Sequence, residues 1–433
     1  MNTLTLAVRG RVPAPGTTGW SALFDRSTSA DAAIRERTAA ILARVRREGD
    51  TALRAMALEF DGVALNSLEV PRRLWGRALG TLNPALRRSL ERATGNIRAA
   101  HEAFRPVPQS FKTRDGVVIA RRPDPLERIG VYVPGGRATY PSSLLMGVVP
   151  AKVAGVREVI VCSPPAGDGR PVAVLLAAAA IAGADRVFAV GGAGAVAAMA
   201  WGTESIARVD RIVGPGNAYV AEAKLQAAGI VAIDAPAGPS ELLVIADESA
   251  APAVVALEIV AQAEHDPRAA VVLVSTSPKL AHAVEHAIGL LLPTAARATT
   301  IAEALAARGG ILTVPSIERA IAFAEHYAAE HVLVCCRSAG AVAARVRNAG
   351  TIFIGATSSV AFGDYMTGAN HVLPTGGLAR GYSGLSTGDF YRWTTTQRIS
   401  RAAAHSLSLD VGTLADAEGL PGHAAAARQW SKP

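Results

Sequence analysis

Three groups of side chains in this 433-residue chain could do chemistry, and a fourth pair near the C-terminus could join them. Gln262 and His265, in "QAEH", stand three residues apart in an apolar-periodic segment, so on a helix they share one face. A Gln and a His so placed could ligate a metal or hydrogen-bond each other in a core. Zinc prefers His, Cys and carboxylates, which makes a Gln ligand unusual. Glu330 and His331 are adjacent, just ahead of the apolar run "VLV" (332–334). Neighbouring side chains in a strand point apart, so both serve one site only from a loop at the strand's mouth. Such a pair can supply general acid and base near neutral pH, and a His held by a carboxylate at a strand edge fits the spacing equally well. The third group, "FGDYMTGANHVLPTGG", puts Asp364, Asn370 and His371 in a Gly- and Pro-punctuated loop. Asp364 is its best oxygen ligand, positioned by backbone rather than helix geometry, and turn formation accounts for the rest. "EGLPGH" adds Glu418 and His423, which taken alone are surface features.

The elements that must position these groups follow from periodicity. Residues 30–104 carry helical periodicity with frequent charges, including a stretch from Pro84 to Phe104. "RIGVYVPGG" then reads as a short strand ending in a Pro-Gly-Gly turn, a loop that lets backbone approach a ligand. From Arg157 strands and helices alternate: "EVIVCSPP", a helix over 172–183, "RVFAVGG" and a helix over 195–201. The alternation resumes with strands at 242–247, 270–276, 310–314 and 332–334, separated by helices over 252–264, 279–291 and 316–328. Alternation of this length implies parallel sheets, so the chain reads as two α/β units, the first inserted between parts of the second. The last 50 residues are Gly- and Ser-rich and then helical.

Gly192, Gly194 and Ala197 form G-x-G-x-x-A between a strand and a helix, the position of a dinucleotide fingerprint. The acidic residue that should follow about 20 positions on is missing, since Asp210 comes too early and precedes its strand. Tight helix–strand packing explains the glycines as well, so NAD does not follow from this motif.

Composition narrows the class. Half the residues are hydrophobic and 18% are charged, as in a well-buried globular protein. The longest apolar stretch, Val172 to Ala184, falls short of the roughly 20 residues of a membrane span, and no secretory signal opens the chain; a cytoplasmic location is expected. Cys162, Cys335 and Cys336 make neither a disulfide framework nor a zinc motif and read as buried thiols. Net charge is +8, but five of the 44 basic residues are lysines and the arginines are scattered, so no nucleic-acid partner is expected.

Taken together, "GVYVPGGRATYPSSLLMGVVPAKVAGV", "DRIVGPGNAYVAEAK", "IDAPAGPSELLVIAD", "QAEHDP", "YAAEHV" and "GDYMTGANHVLPTGGLAR" resemble the histidinol dehydrogenase family, in its order and from about residue 35 onward. The resemblance implies one zinc per subunit, held by Gln262, His265, Asp364 and His423, and a catalytic pair Glu330 and His331. It further implies substrate contacts from Ser240, Glu418 and the same zinc and His331 positions, and NAD contacts from Tyr132 and Asn217. The implied reaction is the NAD-dependent oxidation of L-histidinol through L-histidinaldehyde to L-histidine, in a homodimer whose C-terminal elements complete each other's sites. The implied fold has two incomplete Rossmann-type α/β domains and two small terminal pieces. Residues 1–29 form the N-terminal element, 30–131 with 241–383 the metal and catalytic domain, 132–240 the inserted NAD-side domain and 384–433 the dimerisation element. Two departures bear on function. Gly194 stands where the family usually has Gln, removing a cofactor hydrogen bond worth on the order of 1 kcal/mol. The loop "TSSVAF" lacks the family's usual Pro-Glu, as do sister enzymes acting on other alcohols such as sulfopropanediol, which leaves an amino- or sulfo-alcohol as the alternative substrate.

Overall fold

The computed structural model describes residues 4–26, 31–135 and 139–432. Gly136, which completes the expected Pro-Gly-Gly turn, lies outside them, as do residues 27–30 of the N-terminal region. Among the described residues the strands are β1 (Val8–Arg11), β2 (Gln109–Lys112), β3 (Val118–Pro125), β4 (Arg128–Tyr132), β5 (Glu158–Ser163), β6 (Arg186–Ala189), β7 (Arg211–Val213), β8 (Ala232–Ile233), β9 (Glu241–Ala246), β10 (Ala270–Ser275), β11 (Gly309–Thr313), β12 (His331–Cys335), β13 (Thr351–Ile354) and β14 (Tyr391–Arg398).

They form three sheets. One is parallel, in the order β6-β5-β4-β7-β8. A second is parallel, in the order β1-β11-β10-β9-β12-β13. A small antiparallel sheet, β14-β3-β2, stands apart from both. The central strands are wholly buried, as in "ELLVIA" of β9 and "AVVLVS" of β10. That is what a parallel sheet covered on both faces requires. The expected α/β class with parallel sheets holds.

The helices sort differently from the expected grouping. Buried residues of the helices between 32 and 103, from Leu42 to Ile97, join one core with the five-stranded sheet, and β1 pairs with β11 in the other sheet. Residues 30–103 were expected beside the six-stranded sheet. Their apolar faces instead close the sheet that follows them, with Leu53 and Met56 of the Asp50–Asp61 helix packed where a Cβ at Gly194 would stand. The six-stranded sheet has its own cores on its two faces. The C-terminal region holds a strand that periodicity had not suggested: β14 runs antiparallel to β3, ahead of the helices Arg401–Ala417 and Pro421–Arg428. Cys162 and Cys335 are buried free thiols as expected, while Cys336 is only partly covered.

Candidate active site

Parallel strands joined by helices alternate direction, so a helix leaving a strand's carboxyl end returns to the amino edge of the sheet. The Pro252–Ala263 helix follows β9 and does this. It carries Gln262, buried in its last turn, and ends just before His265. At that same amino edge Glu241, Ala270 and His331 begin β9, β10 and β12 side by side. Ser240 immediately precedes β9, and its carbonyl accepts the Ala270 N–H (3.0 Å).

Glu330 lies just outside β12 and His331 is its first residue, so the pair is not divided between two sheet faces. The Glu330 carboxylate oxygen is 3.5 Å from His331 Nδ1 and accepts the Glu241 N–H (2.8 Å). His331 Nδ1 lies 3.1 Å from the Glu241 carbonyl. A carbonyl only accepts, so Nδ1 carries the proton and Nε2 keeps its lone pair. Nε2 faces Asp364 Oδ1 at 3.7 Å. Burial pushes the His331 imidazole down to about 3, with His371 and His265 close enough to oppose its charging. Burial likewise lifts the Glu330 carboxyl well above its usual range, and the neighbouring Glu241 and Asp364 carboxylates add to the rise.

Asp364 was expected in a loop. It sits instead in the short helix Val360–Tyr365, whose first N–H is held by the Glu258 carboxylate (3.1 Å) from the Pro252–Ala263 helix. That bond explains why a Gly-containing segment becomes helical here: an anion receives an otherwise unpaired helix N–H. Burial, with Glu258 nearby, raises the Asp364 carboxyl to about 7. Turn formation alone accounts for His371 in the sequence, but the structure brings it to the site. Its Nδ1–H donates to the Asp364 carbonyl (2.7 Å), and Nε2 lies 3.3 Å from the Ser143 hydroxyl. The signal for it was a third His in a loop already holding Asp364, and only a contact across 228 residues made it legible.

His331, Asp364, His371 and Glu330 therefore meet, His265 lies close enough to oppose charging of His331 and His371, and Gln262 is buried in the last turn of the helix that leads to His265. Carboxylate and neutral imidazole donors suit zinc, and Asp364, a carboxyl raised by burial and by Glu258, fits a cation there. Among the described residues no three His, Cys, Asp or Glu side chains alone are grouped to hold a metal. His423 and Glu418 are not brought to this group. Both stand exposed on the C-terminal helical pair.

The five-stranded sheet presents Tyr132 and Asn217 at its opposite, carboxyl edge, where β4 and β7 diverge. The Tyr132 hydroxyl accepts the Gly192 N–H (3.1 Å), and burial lifts its phenol to about 12. Asn217 caps the Ala218–Ala227 helix, its side-chain oxygen accepting from Tyr219 and Val220, which leaves its amide N–H groups to donate elsewhere. Between them Gly214 turns at φ +111°, with the Tyr132 carbonyl so close that no side chain fits. The buried pair Lys224–Asp234 clamps this turn: Asp234 accepts the Gly214 N–H (2.7 Å) and Lys224 donates to the Gly214 carbonyl (3.1 Å). A Cβ at Gly194 would meet Met56 Sδ at 3.2 Å and Leu53 Cδ2 at 3.3 Å, so close packing accounts for this glycine.

Two covered parallel sheets and a buried Glu–His couple at a strand edge make this an α/β protein of enzyme-like design, and the comparisons give the class as oxidoreductase. The family profile described as histidinol dehydrogenase matches residues 24–430. A histidinol dehydrogenase of Halobacterium salinarum is 49% identical over 405 residues, covering 93% of this chain and 94% of its own length. One of Methanosarcina barkeri is 46% identical over 389 residues, 90% of each chain. The crystal structure of histidinol dehydrogenase from Elizabethkingia anophelis superposes with a TM-score of 0.93 at 32% identity, covering 99% of this chain and 98% of that one. This chain belongs to the histidinol dehydrogenase family, and the expected family, fold class and enzyme class are borne out. No helix among the described residues is long and apolar enough to cross a membrane.

Proposed function

We propose that the chain catalyses the NAD-dependent oxidation of L-histidinol to L-histidine through the aldehyde. The observation that carries this is the amino-edge cluster in which Glu330, His331 and Asp364 meet, at the edge to which the helix bearing Gln262 returns. Relatives similar over nine-tenths of the chain bear the same name, which favours histidinol over an amino- or sulfo-alcohol used by a sister dehydrogenase.

Gln262, His265 and Asp364 would hold zinc together with His423, and Tyr132 and Asn217 would contact NAD. When bound, the zinc supplies substrate orientation and charge stabilisation, and NAD accepts each hydride. His331 Nε2, the free lone pair in this tautomer, takes the alcohol proton in the first oxidation. Glu330 removes a proton from the water that adds to the aldehyde, and burial makes its carboxylate a stronger base than one in solvent. Loss of a second hydride from that adduct gives the acid. His371 and Ser240 line the same edge and are positioned to hold the substrate.

His423 and Glu418 reach such a site only from a second copy of the chain. The helix that precedes them exposes Leu409, Val411 and Leu414, and Leu420 follows, apolar surface of the kind a homodimer covers. In this reading residues 384–433 are the dimerisation element and 132–240 the NAD side. The enzyme works as a cytoplasmic homodimer with shared sites.

The test measures NADH formation with histidinol against other amino alcohols. Two NADH per histidinol are expected, and faster turnover of another alcohol would overturn the substrate. Mixing inactive His331→Asn and His423→Ala subunits should restore part of the activity. No restoration on mixing would overturn the shared site.

A further inference from the structure

We infer that Arg26 and Glu241 are positioning residues that hold the Glu330–His331 pair in its working arrangement; this rests on the reading of that pair as catalytic. The Arg26 guanidinium forms an ion pair with the Glu241 carboxylate, both side chains 2% exposed. It also donates to the Tyr327 carbonyl and lies 3.5 Å from the centre of the Tyr327 ring. The cation is thus fixed by a charge, a carbonyl and an aromatic face at once. Arg26 comes from the segment after the Thr18–Phe24 helix, more than 200 residues before the carboxylate it meets.

Glu241 touches the pair three times and Gly376 once. Its side chain accepts the Glu330 N–H (3.3 Å) and the Gly376 N–H (2.7 Å). Its own N–H donates to the Glu330 carboxylate (2.8 Å), and its carbonyl accepts from His331 Nδ1 (3.1 Å). Glu241 and Glu330 therefore hold each other reciprocally, side chain to backbone in both directions. The carbonyl contact selects the His331 tautomer with Nε2 free. A buried carboxylate can keep this geometry only with a compensating cation, and Arg26 supplies it. Burial drives the Glu241 carboxyl upward and Arg26 opposes it. The N-terminal segment thereby sets the geometry of the reacting residues without touching substrate.

The experiment compares Arg26→Lys, Arg26→Met and the double variant Arg26→Met/Glu241→Gln as zinc-loaded holoenzymes, with Glu330→Gln as a control for the underlying reading. The double variant removes both charges and leaves none buried alone, so it folds even where Arg26→Met does not. Expected is a fall in kcat on the order of 10- to 100-fold for the neutral variants, as for other orienting partners behind a site. KM values for histidinol and NAD and the zinc content should stay unchanged, and Arg26→Lys should recover much of the loss. In histidine-labelled enzyme, the NMR nitrogen signals of His331 should report loss of the single tautomer in the double variant. A folded double variant with wild-type kcat and tautomer would overturn the inference. So would a loss confined to KM or zinc. Wild-type activity in Glu330→Gln would instead overturn the catalytic assignment.

Discussion

The two parallel sheets repeat one plan and carry their candidate site residues at opposite ends. Apart from β1, added at the edge of the six-stranded sheet, the first strand of each lies in the middle, the next two step out to one side and the following two to the other: β4, then β5 and β6, then β7 and β8; β9, then β10 and β11, then β12 and β13. Ligands of such sheets ordinarily lie at the carboxyl edge, where the strand order reverses. At that edge of the five-stranded sheet Tyr132 and the Gly214 turn stand packed against each other. The same edge of the six-stranded sheet also holds a pocket, lined by Asp247, Thr276, Ser277, Cys336 and Arg337, in which Asp247 accepts the N–H groups of Ser249 (3.0 Å) and Arg337 (2.9 Å). In the proposed reading its chemistry lies at the amino edge instead, where returning helices bring His265 and Asp364 toward Glu330 and His331. On that reading the shared fold does not decide where the reacting residues sit; the side chains at each edge do.

This contrast is tested hardest at the amino edge. His331→Asn should lower turnover of both histidinol and histidinaldehyde by about 100- to 10,000-fold, roughly 3 to 5.5 kcal/mol, because each oxidation removes a proton. Glu330→Gln should slow the aldehyde step far more than the alcohol step. Stopped-flow measurement with each substrate separates the two, and equal losses for Glu330→Gln would reverse the assigned roles.

At the carboxyl edge, Lys224→Met leaves Asp234 buried without its partner, which typically costs about 3 to 5 kcal/mol. Tm should drop and the KM for NAD should rise, with zinc content untouched. An unchanged KM for NAD would show that the Gly214 turn does not serve the cofactor.

Gly194→Gln tests whether the family's side chain can be restored. The added atoms meet Leu53 and Met56, so a loss of about 1 to 3 kcal/mol in denaturant unfolding is expected, without tighter NAD binding by calorimetry. Tighter binding at full stability would mean that the neighbouring helix yields.

The smallest effect concerns the tether of the C-terminal arm. His101 is buried and bonded to Thr387 (2.8 Å), and burial holds its imidazole below the usual value of 6.5. Its contribution to stability is complete above pH 6.5 and is lost as the pH falls through the folded value. His101→Gln should flatten the fall in Tm between pH 8 and pH 5 by a few degrees, about what 1 kcal/mol produces in a chain of this size. A slope identical to wild type would place the acid sensitivity elsewhere.

The sequence by itself determined the alternation of buried strands and helices, because continuous apolar runs such as "ELLVIA" and "AVVLVS" have few ways to be buried except in a covered parallel sheet. Spacing also marked Gln262 with His265 and Glu330 with His331, since one turn of helix or one peptide bond keeps such neighbours together. It left β14 unseen, for its alternating surface residues "YRWTTTQR" become a strand only by pairing with β3, more than 260 residues away. The helix around Asp364 needed Glu258 at its first N–H, and His371 needed Ser143 to be seen as part of the site. The partnership of Arg26 with Glu241 was likewise decided by the tertiary structure alone. A buried cation has no local pattern to announce it, and its place is set by which distant carboxylate shares its loss of solvent.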